Sequence, residues 1–463
     1  MRQTYEAKTR KEDTRKENRL FDGFGMVTVV LDLFGRSGTM AKQVMMVVMM
    51  VALVAGTASA TAYNDAANGS WTAPATWGVG AGYPDDTALQ ADTATVDSND
   101  VKTNVDLTSN LTIVLDGGML YGGRDENISR QVGAAILVKS QSTVRGYTGL
   151  WYPEANDNTH FNGVISDFDG ANTGLLVFDH AWSSVFLTKT NTWTGGSRID
   201  AGAVTATATN AMGTGGVTVN NGGRVALTVA ADMGLGTGTV VVNGGNSTTA
   251  TGLRFTVAQT YGQGGNPAQP SITIGTGGQL RSGYSGALDL DLTFADGSRI
   301  YGSRWSDNYA LNLSGEITIS GEVEVYHDGG ANTTFSGPVD GTGRLKKTGS
   351  SSFSLTNAGN TFSGGVEVTS GSVIVTADGA LGDGIVTVTG GLLQLNADVT
   401  VTGLVLGVTT MGPGTYDSTT DPTYLSGNGS ITVAAPSGTI PEPGSATLAL
   451  LGLAGLVRRR RRG

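Results

Sequence analysis

The sequence predicts an all-β protein, a right-handed parallel β-helix followed by a short C-terminal transmembrane helix. Three observations carry that prediction. The first is composition: of 463 residues, 71 are Gly, none is Cys, and 15% are charged. Gly and Asn supply tight turns, while abundant Val and Thr suit pleated strands. The second is alternation. Runs such as Ala94-Thr95-Val96, Val101–Val105 and Leu111–Leu115 alternate β-branched with small polar residues. Gly or Asn interrupts such runs roughly every eight to twelve residues, the mark of short strands joined by turns.

The third observation is an internal repeat. Displaced by 169 positions, Asn191–Gly222 falls on Asn360–Gly391 without a gap. Asn191-Thr192-Trp193-Thr194-Gly195-Gly196 meets Asn360-Thr361-Phe362-Ser363-Gly364-Gly365, and Ala211-Met212-Gly213 meets Ala380-Leu381-Gly382. Val217-Thr218-Val219 meets Val386-Thr387-Val388, and shorter fragments recur at Gly238–Gly245, Ser271–Leu280, Leu292–Gly302 and Ile317–Tyr326. Repeats of this size mean stacked units. One coil cannot bury its inward Val, Ile and Leu, but coils stacked roughly 4.8 Å apart bury them continuously. The β-helix is therefore placed at 61–435, with roughly 20 residues per coil and a length of the order of 90 Å. Val368, Val373 and Val375 are expected in its inward ladders. A β-sandwich array is the alternative.

Taken in order, residues 1–39 are charged and unlike the rest. Residues 40–60 follow as a signal peptide: Met40-Ala41-Lys42, the apolar run Val44–Val54, then Ala58-Ser59-Ala60. A basic start, an apolar stretch and an A-x-A site place signal peptidase at Ala58 and Ala60, with cleavage after Ala60. Translation is then expected to start at Met40, with 1–39 an over-extended reading of the gene; a long basic leader is the alternative. From residue 61 onward, 20 Lys and Arg face 33 Asp and Glu. That acidic balance disfavours nucleic acid and anionic membrane surfaces as partners. Trp71 and Trp77 are expected to cap the first coil, an aromatic glycan platform being the alternative. Tyr261–Pro270 is expected to protrude as a loop. Met411–Ser430 is expected to form the last loop before a closing strand Ser430–Ala434, and Ala435–Thr439 reads as a spacer.

The body is poor in recognisable chemistry. The three histidines, His160, His180 and His327, lack metal-ligand spacing, and no G-x-S-x-G elbow occurs. Asp85-Asp86, Asp167 with Asp169, and Asp289 with Asp291 are the carboxylate pairs; the latter two could offer oxygen ligands to Ca²⁺, but Asp-rich turns are the plainer explanation. No catalytic, cofactor-binding or metal residue is assigned, and no enzymatic activity is expected. A β-helical lyase or glycosidase acting on polysaccharide is the alternative.

Two resemblances add to this reading. Lys347-Thr348-Gly349 followed by Asn360–Gly365 resembles the passenger-associated transport repeat of autotransporter-like proteins. The first copy departs from it, with Phe178-Asp179-His180 where Lys-Thr-Gly would stand, so its turn is expected to differ. The tail has three blocks: a spacer with the motif Pro441-Glu442-Pro443 (436–443), an apolar stretch (444–457), and Arg458, Arg459, Arg460, Arg461 and Arg462 before Gly463. The run Ala446–Val457 would cover roughly 18–21 Å of a ~30 Å hydrocarbon core, and the arginines would stay on the cytoplasmic side. This order resembles the PEP-CTERM sorting signal. The resemblance implies cleavage by an exosortase and transient residence in the inner membrane. Delivery would be to the cell surface or extracellular matrix, for a structural or adhesive role with extracellular polysaccharide as a partner. An uncleaved tail anchor is the alternative. If translation starts at Met40, proteomic digestion of the expressed protein yields no tryptic peptide 20–36; recovering that peptide overturns the Met40 start.

Overall fold

The computed structural model describes residues 61–435 apart from 78–83, 85–91, 108, 123–129, 147–157, 171–173, 221, 228–233, 245–251, 257–268, 284, 302–308, 328 and 331. The described chain is all-β, a parallel β-solenoid of about 11 turns, with a single 3-10 turn at Pro74–Trp77. Every strand pairing among the described residues is parallel except two at the C-terminal end. One ladder runs through Val217–Val219, Val240–Val242, Ile272–Ile274, Leu292–Phe294, Ile317–Ile319 and Val339–Gly341. A second runs through Gly223–Leu227, Gly252–Phe255, Gln279–Ser282, Ser298–Tyr301, Glu322–Tyr326, Arg344–Thr348, Val366–Val368 and Ile385–Val388. A third, from Gly286–Leu288 to Leu425–Gly427, closes the coil. The short recurrent fragments of the sequence are thus successive coils, each carrying a rung of the first ladder and most reaching into the second.

Alternation decides which side faces in. Val217, Val240, Ile272, Leu292, Ile317 and Val339 lie directly above one another and are all buried. The expected ladder residues behave alike. Val373 stacks between Phe353 and Leu393, Val375 between Leu355 and Leu395, and Val368 between Lys347 and Val388. Each fully buried side chain of this size contributes about 1.5–3 kcal/mol over its exposed state. Coil length departs from the expected twenty. Ile272 pairs with Leu292, but Leu292 pairs with Ile317 and Val240 with Ile272, 25 and 32 positions on. Strands are held to the rung geometry while turns are free to lengthen, and the predicted loop Tyr261–Pro270, of which 261–268 lie outside the described residues, falls in this 32-residue step.

The two repeat copies share one device. Asn191 accepts a hydrogen bond from the Ile165 amide at Oδ1 (2.8 Å) and donates from Nδ2 to the Ala211 carbonyl (2.7 Å). Asn360 does the same between the Val339 amide (2.9 Å) and the Ala380 carbonyl (2.7 Å). Both side chains are buried, so each clamps three consecutive coils where strand pairing lapses. Two residues on, Trp193 and Phe362 are fully buried. Each lies against the glycine of the next coil, Gly213 (φ 78°) or Gly382 (φ 67°), where a Cβ would come within 3 Å of the ring. Only glycine meets both demands there. Lys347 is also buried, its ammonium donating to the carbonyls of Thr348 and Gly349. In the first copy Phe178-Asp179-His180 makes no turn: it lies within one strand, Leu176–Leu187, whose pairing register shifts on either side of Asp179.

Trp71 and Trp77 are buried at the first coil and pack edge to face at 4.9 Å. Their ring nitrogens donate to the carbonyls of Pro84 (2.9 Å) and Trp71 (2.7 Å). Enclosed rings cannot serve as a glycan platform, so that alternative falls. At the other end, 411–430 is not a plain loop. Thr409–Met411 folds back antiparallel on Gly403–Leu406, Gly414–Asp417 pairs antiparallel with Ser430–Val433, and Leu425–Gly427 extends the third ladder.

Replacing Asn360 by Ala leaves a buried amide and a buried carbonyl unpaired. We expect Asn360→Ala to lower the unfolding free energy by about 1–3 kcal/mol, and Asn357→Ala, at a half-buried turn, by clearly less. Equal losses in chemical denaturation would remove the clamp from this account.

Candidate functional site

The residues to which the sequence assigns processing lie outside the described residues. These are Ala58 and Ala60 at one end and Pro441, Glu442, Pro443 and Arg458–Arg462 at the other. The structure describes the rungs to which both segments attach. The Thr61 amide donates to Asp92 Oδ1 (2.9 Å) and its carbonyl accepts from the Thr93 amide (2.9 Å), so Thr61 is already tied into the solenoid. Asp92 is buried. In the turn that follows, Asp65 accepts from the amides of Asp97 (2.8 Å) and Asn99 (2.7 Å). Burial alone would raise the Asp65 pKa, but these amides and a hydrogen bond shared with the Asp97 carboxyl hold it low; the same shared bond raises Asp97.

At the C-terminal end, Ser430–Val433 lies between Val399–Val401, parallel, and Gly414–Asp417, antiparallel. The strand to which the tail attaches is therefore covered on both edges, which removes a site for edge-to-edge association. The Ala434 amide still donates to Val401 (3.1 Å), and Ala434 and Ala435 are exposed. Asp417 braces the adjoining turn. Hydrogen bonds from the Thr419 hydroxyl and amide, then from Thr420, hold its carboxyl below the usual range.

One member of each of two carboxylate pairs accepts hydrogen bonds between rungs. Asp167 receives the Thr194 amide (3.0 Å) and hydroxyl (2.8 Å). Asp291 receives the Glu316 amide (2.9 Å), while the Gln269 side chain brackets the Asp291 backbone at 2.9 Å on both sides. Gln269, Asp291 and Glu316 border an open cleft of about 310 Å³ with Thr293 and Thr318. Asp85 and Asp86 lie outside the described residues. Among the described residues no group of three His, Cys, Asp or Glu side chains could hold a metal ion. His327 is fully buried, and His160 stacks on Phe186 at 4.5 Å, with burial lowering its pKa.

What sequence reading missed is the outward face of the second ladder. Arg299 Nε meets Glu324 Oε2 (2.7 Å), Lys346 Nζ meets Glu322 Oε1 (3.1 Å), and Arg344 bridges Glu322 and Glu367, the latter at 2.9 Å. Burial would raise the Glu322 pKa, but hydrogen bonds from Lys346 and Arg344 prevail and lower it. Tyr301 stacks on Tyr326 at 5.0 Å, Arg281 lies 4.3 Å over the Tyr301 ring, and Arg299 lies 5.4 Å from the Tyr326 ring. The signal available in sequence was the outward position of each strand, but partners 20–27 residues apart meet only once the register is known. No protein-family model, curated protein or solved structure matches the chain.

Because the Glu322 pKa is lowered by folding, its stabilisation is present above the ordinary glutamate value and is lost as pH falls through the folded value. Thermal midpoints measured from neutral pH downward should therefore decline less steeply in Glu322→Gln than in the parent, and the difference should shrink in high salt. Parallel curves would show that this ion cluster contributes nothing.

Proposed function

We propose that this protein is an exported, non-catalytic β-solenoid of the cell surface or extracellular matrix, delivered by a PEP-CTERM-like signal and cut by an exosortase. The observation that carries this reading is the order of the tail: Pro441-Glu442-Pro443, an apolar run too short for a comfortable span, then five arginines. A short anchor suits a temporary hold. One feature of the fold supports it. The last strand is sealed on both edges and hands over to an exposed Ala434 and Ala435. Processing beyond that strand would thus leave the stacked core intact. No helix among the described residues is long and apolar enough to cross a membrane, and the proposed helix at 444–457 lies outside them.

In this reading the solenoid winds right-handed, as parallel crossovers in one sheet overwhelmingly do. Its partners are signal peptidase, the export machinery, the exosortase, and extracellular polysaccharide. What it contributes outside the cell is a stiff, acidic, Thr-rich surface. Intact-mass analysis of the protein released from cells tests the proposal: the expected species starts at Thr61 and lacks Arg458–Arg462. A released protein that retains the five arginines overturns exosortase cleavage, and one that retains residues before Thr61 overturns the signal peptide.

A further inference from the structure

We propose that the chain cuts itself at Asp421–Pro422 in mild acid, with the Asp421 carboxylate as nucleophile on its own main-chain carbonyl. This is a single event in the chain, not turnover of a substrate, and it stands whether or not the tail is processed. The sequence holds no other Asp-Pro pair. The pair lies between the strands Gly414–Asp417 and Leu425–Gly427, with Asp421 half-buried and Pro422 exposed. Asp421 Oδ1 accepts a hydrogen bond from the Thr423 amide (3.2 Å). The ring closed by that bond contains the Asp421–Pro422 peptide, so the carboxylate is folded across the bond to be cut. The Asp421 carbonyl oxygen accepts from the amides of Leu425 (2.9 Å) and Tyr424 (3.3 Å). Donors already aimed at an oxygen that gains negative charge in the tetrahedral state lower the barrier to reaching it. Both sides of the bond are anchored: the Asp421 amide donates to the Asp417 carbonyl (3.1 Å), and Leu425 is buried and paired with Leu393. A geometry held in this way spares the entropy of finding it.

Proline suits the leaving side. Its nitrogen carries no N–H, so a cut there removes no donated hydrogen bond from the fold. In the step itself, the other carboxylate oxygen, Oδ2, bonds to the Asp421 carbonyl carbon. The C–N bond to Pro422 breaks, and the nitrogen leaves as a secondary amine with a proton drawn from the acid medium. One water then opens the cyclic anhydride of Asp421 and leaves it with two carboxyl groups; no oxidant or reductant takes part. The piece beginning at Pro422 keeps Leu425–Gly427 on the third ladder and Ser430–Val433 between its two neighbours. It therefore stays seated after the cut, and whatever the tail is attached to would hold the body through strand pairing alone.

The test is incubation of the purified full chain at about pH 5.5 and about pH 8 with protease inhibitors present, read by intact mass in denaturant. We expect two fragments, one ending in Asp421 and one starting at Pro422, formed at least tenfold faster at the lower pH. The same chain unfolded in concentrated urea at that pH should be cut at least tenfold more slowly than the folded one. Asp421→Asn should slow the cut at least tenfold, while Asp383→Asn, in another exposed turn, should change it less than twofold. Should Asp421→Asn lack the parent's thermal transition, Pro422→Ala decides, with at least a tenfold loss expected. Without denaturant the two fragments should elute together on size exclusion, and fragments that part overturn the seated product. The proposal is overturned if the folded parent stays whole, if the break falls at another bond, if unfolding does not slow it, or if a folded variant at either position is cut as fast as the parent.

Discussion

Each coil of this protein finds its backbone hydrogen-bond partners on the coils before and after it. That dependence on in-register parallel pairing governs the rest of the structure. A slip of one residue would turn an inward Val or Ile outward and bring a Thr or Arg into the core. The register is therefore held by identity at every rung: Val217, Val240, Ile272, Leu292, Ile317 and Val339 occupy one column, and each is buried on the one before. Where strand pairing lapses, side chains take over the role. Asn191 and Asn360 replace a strand pair by reaching backbone groups on the coils to either side. The hydroxyls of Thr188, Thr207, Thr356 and Thr369 each donate to a carbonyl one coil back. The abundance of Thr and Asn is thus partly a backbone requirement.

The same constraint leaves the outside free. Turn length varies from coil to coil because only strands answer to the register, and outward side chains need satisfy only their immediate neighbours. Evenly spaced charges then become columns. Along the second ladder these columns change character, from stacked arginines to alternating acid and base. The two ends are finished differently. Buried tryptophans fill the first coil, and antiparallel strands flank the last ones. The antiparallel strands cover the last parallel edge, which removes a site for recruiting another chain, whereas the tryptophans fill the interior of the first coil.

Much of this was legible in the sequence because the controlling signals are local and repeated. The match of Asn191–Gly196 to Asn360–Gly365 located the clamps before their partners were known. The departure at Phe178-Asp179-His180 marks where the first copy runs on as one strand with a shifted register. The misses share one cause, which is that they depend on what stands a coil away. Asp167 and Asp291 read as possible Ca²⁺ ligands because their amide donors, Thr194 and Glu316, are distant in sequence. Residues 411–430 read as a loop because antiparallel strands so short and exposed carry little alternation.

The sequence by itself determined the all-β class, the stacked parallel architecture and the inward residues, since alternation within short recurring strands follows from strand geometry. It also carries the two end segments and the expectation of export that rests on them. Only the tertiary structure decided which residues face each other across rungs: the asparagine clamps, the enclosed tryptophans, the ion pairs of Glu322 and Glu324, and the opposed arginines 254 and 281. Their separations vary with every turn length, and turn length leaves no periodic trace in the chain.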